Sequence, residues 1–541
     1  MTGTDGTTTT APRAGAPGTG GSRTTASTMA SGTDQSFGNR IGGSLVAAGG
    51  DTFASVNPAR PAEVLARFPD SAAGVVDEAV SAAAASQRAW ALVPVPERAE
   101  RIAAVGTVLA RDKAALALLV AREAGKVLVE AGGDVQEAVD MAHYVASQGR
   151  AAWGTVHPSE LADKLCWTTR HPVGVVGMIT PWNFPVAIPS WKCFPALLAG
   201  NGIVLKPSEH APLCAEAFVA ACEEGGIPSG LINLVHGHAA PAAAIARHPG
   251  VRAVSFTGSV PTGRKVAMAA MEEGPRLVSL ELGGKNAMVV LADADLELAA
   301  DGALFGAFGT AGQRCTSTSR LVVHRDVAAE LVEVLVERAA SLLLGDPAVV
   351  GTDVGPVIDA ASAARIHRMV EAATAEGAEV ATGGRMKEVE GCEGGAFYVP
   401  TVLRGVRPDH VIARDEVFGP VLSVLEIGSL DEAVDVVNSA AYGLSAAVYT
   451  SDVNAAMRAV AAIDTGIVYV NAPTIGAEIH LPFGGTKHTG NGYREAGTRG
   501  LEQFSETKTV YLDYSGRLQR AQIDNRPPMA TDPAPTTDQG A

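Results

Sequence analysis

From Val173 onward, short runs rich in β-branched residues take turns with stretches of helical character. VGVVGMIT is followed by PVAIPSWKCFPALLAG, GIVLKPS by APLCAEAFVAACEEG, LINLVHG by AAPAAAIARHP, and RAVSFTGS by TGRKVAMAAME. This alternation predicts a parallel sheet with helices on its faces, because parallel neighbours need a long crossover to return to the same end. The ligand crevice of such a sheet lies outside the carboxyl ends of its strands. TPWN, KPSE and FTGS all fall at those ends, so three separate loops converge on one place. A second alternation follows NAMVVL: a helix over residues 296–311, the strand SRLVVH, a helix in VAAELVEVLVERAASLLLG, and strands in VLSVLEI and GIVYVN. The expected class is therefore α/β with two parallel-sheet domains and a site in the cleft between them.

The rest of the chain is arranged around these halves. Residues 75–150 are Ala-rich with helical spacing of Leu116, Leu119 and Val120, which predicts mostly helix. KLCWTTRHPV and ETKTVYLDY read as a small antiparallel extension whose edge invites pairing between subunits. At 541 residues and 47% hydrophobic composition, two or three domains are expected. The boundaries expected are 36–153 with 173–283 for the first unit, 284–497 for the second, and 154–172 with 498–516 for the extension. Residues 1–35 are Thr, Gly, Ser and Ala with almost no large apolar side chain, and the tail 525–541 is rich in Pro, Thr and Asp; both are expected to be disordered. Met29 is an alternative start.

Composition narrows the partners. Lys and Arg number 42 against 58 Asp and Glu, a balance of -16 that gives no electrostatic footprint for nucleic acid or anionic membrane. The longest apolar stretches fall short of the roughly 20 residues a membrane helix requires, and no secretory signal is evident. Six cysteines show no paired spacing for zinc, so no metal is expected and a reducing cytoplasm is the expected home.

Cys315 lies in GTAGQRCTSTSR among small residues between a predicted helix and a strand. A thiolate is the strongest nucleophile available near neutral pH, yet a lone cysteine is more often a small buried hydrophobe. Its company changes the balance. Glu281, in SLELGGKNA, ends a strand before two glycines that let the chain turn sharply, and a carboxylate there can serve as a general base for water. Asn183, in TPWNFP, follows the strand VVGMIT, and its amide could donate to a developing oxyanion together with the Cys315 backbone N–H. In isolation that asparagine reads as a turn residue and that glutamate as a solvated strand end.

Taken in order, TPWNFP, KPSE, FTGSVPTG, ELGGKNA, GQRCT, EVFGP and PFGGTKHTGNG resemble the NAD(P)-dependent aldehyde dehydrogenases, over residues 40 to 520. The resemblance implies a Rossmann-like NAD-binding domain, a catalytic domain, and strands that build a homodimer or homotetramer. It implies Cys315 as nucleophile, Glu281 as the base that hydrolyses the thioester, Asn183 as oxyanion donor, and Lys192 with Glu495 as a proton-exit pair behind Glu281. For the cofactor it implies Lys206 and Glu209 at the adenine ribose, with Ser208 beside them, and Gly258 and Ser259 by the phosphates. Glu416 would hold the nicotinamide ribose next to Phe418, and Thr180, Trp182 and Leu282 would complete the groove. Glu209 favours NAD because a carboxylate repels a 2′-phosphate, with NADP as the second candidate. The presence of Glu281 implies a free acid product rather than acyl transfer to coenzyme A.

KVLVEAGGDVQEAVD, GQRCT, NAPTIGAEI and KHTGNG are most similar to the branch that oxidises α-aminoadipic or α-ketoglutarate semialdehyde. Both substrates carry a remote carboxylate. Arg314 is therefore expected to read that carboxylate and Asp134, or a neighbour, to contact an amino or polar group. Arg314 in a structural ion pair is the equal alternative. Three departures stand out: VHGHAAPAAA has few glycines, KHTGNGYREAG is long, and Lys285 replaces the asparagine of the aminoadipic branch. The competing readings are a broad detoxifying aldehyde dehydrogenase and a non-catalytic protein that keeps an NAD site.

Overall fold

A computed structural model describes residues 26–46, 50–151, 153–272 and 274–523. The first alternation folds into a seven-stranded sheet. Its order is Leu277–Glu281, Ala253–Thr257, Val175–Ile179, Gly202–Lys206, Ile232–Leu234, Asn39–Ile41 and Ser44–Val46. The first five are parallel, and the last two form a hairpin that adds antiparallel to Ile232–Leu234. The chain runs outward from Val175–Ile179 and then returns to lay Ala253–Thr257 on its other side. The crevice opens at that reversal, so Thr180 and Gly258 stand at its two lips. Val175–Ile179 and Gly202–Lys206 are buried at every position, as strands covered on both faces require.

The second alternation builds another seven-stranded sheet, ordered Glu379–Thr382, Thr401–Arg404, Val421–Ile427, Thr318–His324, Asn286–Val290, Ser445–Tyr449 and Ile467–Val470. Only its edge pair, Glu379–Thr382 on Thr401–Arg404, is antiparallel. Leu277–Glu281 ends the first sheet and Asn286–Val290 begins in the middle of the second, with only the turn at 282–285 between them. The carboxyl end of one sheet therefore abuts the amino end of the other. Lys164–Pro172 and Ser505–Asp513 pair antiparallel along nine residues and are joined by Val156–His157.

The expected disordered start ends earlier than residue 35. Ala26–Ser31 form a helix in which Met29 and Ala30 are each only 2% exposed, and Gln35–Ser36 pair parallel with Ala66 and Arg67. The buried Met29 packs in the core that includes Leu116 and Val120, and the Arg122 guanidinium donates to the Ala30 carbonyl. One apolar side chain and one borrowed cation order a stretch whose composition alone predicts none. Residues 1–25 and the tail from 525 lie outside the described residues.

Leu277–Glu281 is an edge strand, and an edge needs cover. The long KHTGNG loop supplies it. The Leu280 amide donates to Asn491 Oδ1 at 3.1 Å while Asn491 Nδ2 donates to the Val278 carbonyl at 2.7 Å. Leu282 N donates to the Thr489 carbonyl at 2.7 Å, and Thr489 Oγ1 donates to Gly283 O at 3.0 Å. This side-chain rung fixes the strand that ends in Glu281. Asn491→Ala removes two hydrogen bonds and is expected to destabilise the protein by about 2 kcal/mol, read as a lower urea midpoint; an unchanged midpoint would show that the rung carries no stability.

Candidate active site

Cys315 is presented by an unusual piece of backbone. The helix Leu296–Phe308 gives way to a tight turn at Gly309–Gly312 in which Thr310 has φ 54°, Ala311 φ 51° and Gly312 φ 68°. Two non-glycine residues in the left-handed region are strained and need outside support. Glu130 gives it, accepting from Thr310 N at 2.8 Å and Thr310 Oγ1 at 3.0 Å. Beyond the turn, Asn286 Nδ2 donates to the carbonyls of Cys315 at 2.8 Å and Ser317 at 2.9 Å, and Thr474 Oγ1 donates to Thr316 O at 2.7 Å. Among the six free cysteines Cys315 alone is half-buried, the other five being buried. It lines a cavity of about 120 Å³ walled by Phe184, Ile188, Trp191 and Phe483, the last two meeting edge-on at 5.2 Å.

The cavity is rich in acids. Burial, then Glu281, Glu416 and Glu495, push the Cys315 thiol from 9.0 up to about 12. Glu281 lines the same cavity and is 3% exposed. Neither of its carboxyl oxygens has a hydrogen-bond partner among the described residues. Burial, reinforced by Glu495, holds its carboxyl well above the usual range. The buried Lys192 ammonium pairs with Glu495 and donates to Ser255 Oγ at 2.8 Å. Lys192 thus pairs with Glu495, while Glu281 makes no direct ion pair among the described residues and feels Lys192 and Arg494 only at longer range. Asn183 Nδ2 donates to the Gln313 carbonyl at 2.9 Å, which fixes the amide plane through one hydrogen and leaves the other uncommitted among the described residues.

Along the crevice, Lys206 ends Gly202–Lys206, and its ammonium meets Glu209 at 3.2 Å; Ser208 is buried beside them. Gly258 N donates to Glu281 O at 3.0 Å, and Ser259 Oγ donates to Thr262 Oγ1 at 3.0 Å at the start of the helix Val260–Glu272. Glu416 accepts from Gly284 N at 3.1 Å, and its carboxylate fills the space a Cβ would need at Gly283. Burial pushes Glu416 up to about 6. Phe418 holds a left-handed φ of 49° and sets its ring edge-on to Trp182 at 5.6 Å; Leu282 lines the cavity. The hydroxyls of Thr180 and Thr257 are buried without partners among the described residues. A cation–carboxylate pair for a ribose, a helix start for phosphates and orphaned hydroxyls at the lip fit a nicotinamide dinucleotide. The glycine-poor turn keeps one glycine where it counts: Gly237 has φ 137°, and the next residue, His238, pairs with Asp70 at 2.9 Å.

The expectation for Asp134 is corrected. It is 1% exposed, pairs with Lys126 at 3.0 Å and accepts from Ala187 N at 2.7 Å, so its oxygens are engaged in anchoring the next helix. Glu137, nearly one turn further on, lines the cavity instead. Arg314 also lines it, while pairing with Glu130 at 3.3 Å and donating from Nε to Thr310 Oγ1 at 2.9 Å. Arg314 is thus in a structural ion pair and also borders the cavity. Glu130, Asp134 and Glu137 share a face of the helix Leu128–Ser147 by their spacing. Three acids there face two cations, Lys126 and Arg314. Burial, then Asp134, push the unmatched Glu137 up to about 8. Acid spacing in KVLVEAGGDVQEAVD carries that signal; the aromatic walls and Asn286 had none beyond ordinary core residues. Lys285 is buried away from the cavity lining, so it does not read the substrate.

The aldehyde dehydrogenase family model matches residues 45–510. An α-ketoglutarate semialdehyde dehydrogenase of Haloferax volcanii is 41% identical over 472 residues, 86% of this chain and 96% of that protein. A 3,6-anhydro-α-L-galactose dehydrogenase of Streptomyces coelicolor is 40% identical over 86% of this chain and 94% of that protein. The crystal structure of an NAD-dependent aldehyde dehydrogenase from Sinorhizobium meliloti superposes with a TM-score of 0.87 at 37% identity, covering 90% of this chain and 97% of that one. Betaine aldehyde dehydrogenase of Staphylococcus aureus in complex with NAD+ gives 0.87 at 32% identity, over 91% and 97%. With a match of this length around a half-buried cysteine and an unpaired glutamate, the chain belongs to the aldehyde dehydrogenase family, and its reaction is the nicotinamide-dependent oxidation of an aldehyde.

Proposed function

We propose that Cys315 is the nucleophile and Glu281 the deacylating base, and that the aldehyde carries a carboxylate at its far end. The observation that carries the second half is the Arg314 guanidinium, which lines the same cavity as Cys315 within aromatic walls. Relatives named for α-ketoglutarate semialdehyde and 2,5-dioxopentanoate support the same class.

The mechanism follows from the positions. Glu281 takes the thiol proton, and the Cys315 sulfur bonds to the aldehyde carbon. The resulting alkoxide receives the free amide hydrogen of Asn183 and the Cys315 backbone N–H. NAD, held by Lys206, Ser208, Glu209, Gly258, Ser259, Glu416 and Phe418 with Thr180, Trp182 and Leu282 along the groove, supplies the hydride acceptor when bound. The product left on Cys315 is a thioester. Glu281 then removes a proton from water as it attacks the acyl carbon, the carbon–sulfur bond breaks, and the acid departs. Glu495 and Lys192 offer the proton a way out behind Glu281.

In the same reading, residues 36–153 and 173–283 form the cofactor-binding domain and 284–497 the catalytic domain. Strands within 154–172 and 498–516 pair subunits into a homodimer or homotetramer. The half-buried free thiol suits a reducing cytoplasm. A cationic aldehyde is the second reading, favoured by Glu137 and by relatives named betaine aldehyde dehydrogenase. A carboxyl raised to about 8 is largely neutral at pH 7, whereas a guanidinium stays charged, so the carboxylated substrate is preferred.

Cys315→Ala is expected to abolish NADH formation, while Glu281→Gln keeps a first-turnover burst and loses about 10²- to 10⁴-fold in kcat; steady turnover at the original rate would remove Glu281 from this role. Arg314→Ala is expected to cost about 10- to 100-fold in kcat/KM for a carboxylated semialdehyde, the worth of a hydrogen bond to a charged group, and little for propanal; equal losses on both would sink the assignment. In enzyme free of NAD, the iodoacetamide alkylation rate of Cys315 should rise about tenfold per pH unit from 7 to 10 without a plateau, because only the thiolate reacts and its thiol is raised to about 12. A plateau below pH 9 contradicts the acidic surroundings described.

A further inference from the structure

Lys126 sits in the break between two helices, Lys113–Ala124 and Leu128–Ser147. The break is fixed by Gly125, which takes a left-handed φ of 74° with Pro58 and Pro356 each 3.1 Å from the place a Cβ would occupy. From this corner the Lys126 side chain runs inward, 1% exposed. Its ammonium pairs with Asp134 at 3.0 Å and lies over the Phe184 ring, 3.4 Å from the centroid. Phe184 walls the aldehyde cavity and Lys126 lies outside that lining, so the cation meets the ring from the protein side.

Both contacts bear on one short stretch of chain. Trp182, Asn183 and Phe184 are consecutive, and each is held by a different partner: Trp182 by the Phe418 ring at 5.6 Å, Asn183 by the Gln313 carbonyl at 2.9 Å, and Phe184 by Lys126. The helix Ala187–Ala199 that follows has no capping side chain of its own, because Val186 stands at its N-cap. Asp134 supplies the cap from another helix, accepting from Ala187 N at 2.7 Å, and a carboxylate is favoured at that end. Lys126 neutralises this carboxylate where water does not reach. A buried ion pair is by itself worth little more than a neutral pair of the same volume. What this one adds is a positive charge against the face of Phe184, an attraction that is strongest where water is excluded.

We propose that Lys126 is a positioning residue for the oxidation of the aldehyde. By holding the Phe184 ring and, through Asp134, the Ala187 amide, it fixes the stretch 182–187 so that the free amide hydrogen of Asn183 is aimed at the alkoxide formed on Cys315. The idea rests on Asn183 as oxyanion donor. The bond from Asn183 to Gln313 O sets the distance between the two loops but not the tilt of the backbone that carries the amide, and the cation against the neighbouring ring is the second fixed point. An oxyanion donor acts only if it is aimed before the charge develops, and a misplacement of about 1 Å costs up to about 10²-fold.

Lys126→Met combined with Asp134→Asn removes both charges together, nearly keeps the volume, and leaves an amide oxygen to accept from Ala187 N, so the cation against the ring is what is lost. In the full-length protein with NAD, the first-turnover rate of NADH formation should fall about tenfold, the worth of a desolvated cation on an aromatic face. The loss should be the same for propanal and for 5-oxopentanoate. With propanal deuterated at the aldehyde carbon, the isotope effect on that rate should rise, while Tm and the NAD titration stay at the parent values. A lower Tm with an unchanged rate and isotope effect makes the pair structural only, and a loss confined to 5-oxopentanoate makes it act through Arg314, 5.4 Å from the same ring; either result overturns the proposal. In an Asn183→Ala background the combined variant should cost no more than about twofold further, because the two act through one group; an undiminished further loss there overturns it. Asn183→Ala that reacts as fast as the parent removes the oxyanion reading and the proposal with it, whereas a loss in Asn183→Ala with none in the Lys126 variant overturns the proposal alone.

Discussion

The structure depends on the butt joint between its two sheets, and Asn286 is the tie across it. Its Nδ2 holds the carbonyls of Cys315 and Ser317, and its Oδ1 accepts from Ser445 N at 3.1 Å. One side chain thereby fixes the nucleophile's loop to the strand that follows the base and to the next strand across. A buried amide that uses both ends in this way sets position as well as energy. The two glycines before it are required by crowding: a Cβ at Gly283 would occupy the place of the Glu416 carboxylate, and one at Gly284 would press on the Cys315 carbonyl. ELGGKN is therefore a joint as well as a site, and its residues cannot vary independently.

That joint collects three carboxylates around one thiol, with Lys192 and Arg494 as the cations that act on Glu281. Lys192 is committed to Glu495, and Lys285, buried and without a partner among the described residues, is pushed down to about 7 by burial and by Arg320. A thiol raised from 9.0 to about 12 disfavours the thiolate by roughly 4 kcal/mol. Burial and the neighbouring carboxylates thus disfavour the Cys315 thiolate in the absence of a cofactor or substrate. The same crowding keeps Glu281 basic enough to take protons near neutral pH.

Much of this is legible in the sequence, and what is not has a physical reason. The loops TPWN, KPSE and FTGS sit at strand ends because strand–helix alternation dictates where strands end, and a parallel sheet dictates that those ends share a side. Motif and company single out Cys315 and Glu281. The rotation of a helix about its own axis is a different matter. Asp134 and Glu137 differ by three residues on the same face, and which one reaches the cavity depends on the Ala187 amide and Lys126 claiming Asp134 first. Likewise, Asn491 acts as a strand rung only because Leu277–Glu281 lies at an edge, and edge position is a property of sheet order. Met29 is ordered by a core built from residues far along the chain.

Specificity follows from the same competition for partners. Arg314 is shared between Glu130, which also steadies the strained turn at Thr310, and the cavity it lines. At 3.3 Å the pair with Glu130 is looser than the 2.8 Å bond from Thr310 N to the same carboxylate, while Arg314 Nε also holds Thr310 Oγ1 at 2.9 Å. The ring of Phe184, which Arg314 faces at 5.4 Å, keeps water from that charge and strengthens any anion contact made there. Arg314 thus joins the cavity wall to the support of the loop that carries Cys315, so a change at Arg314 or Glu130 bears on both.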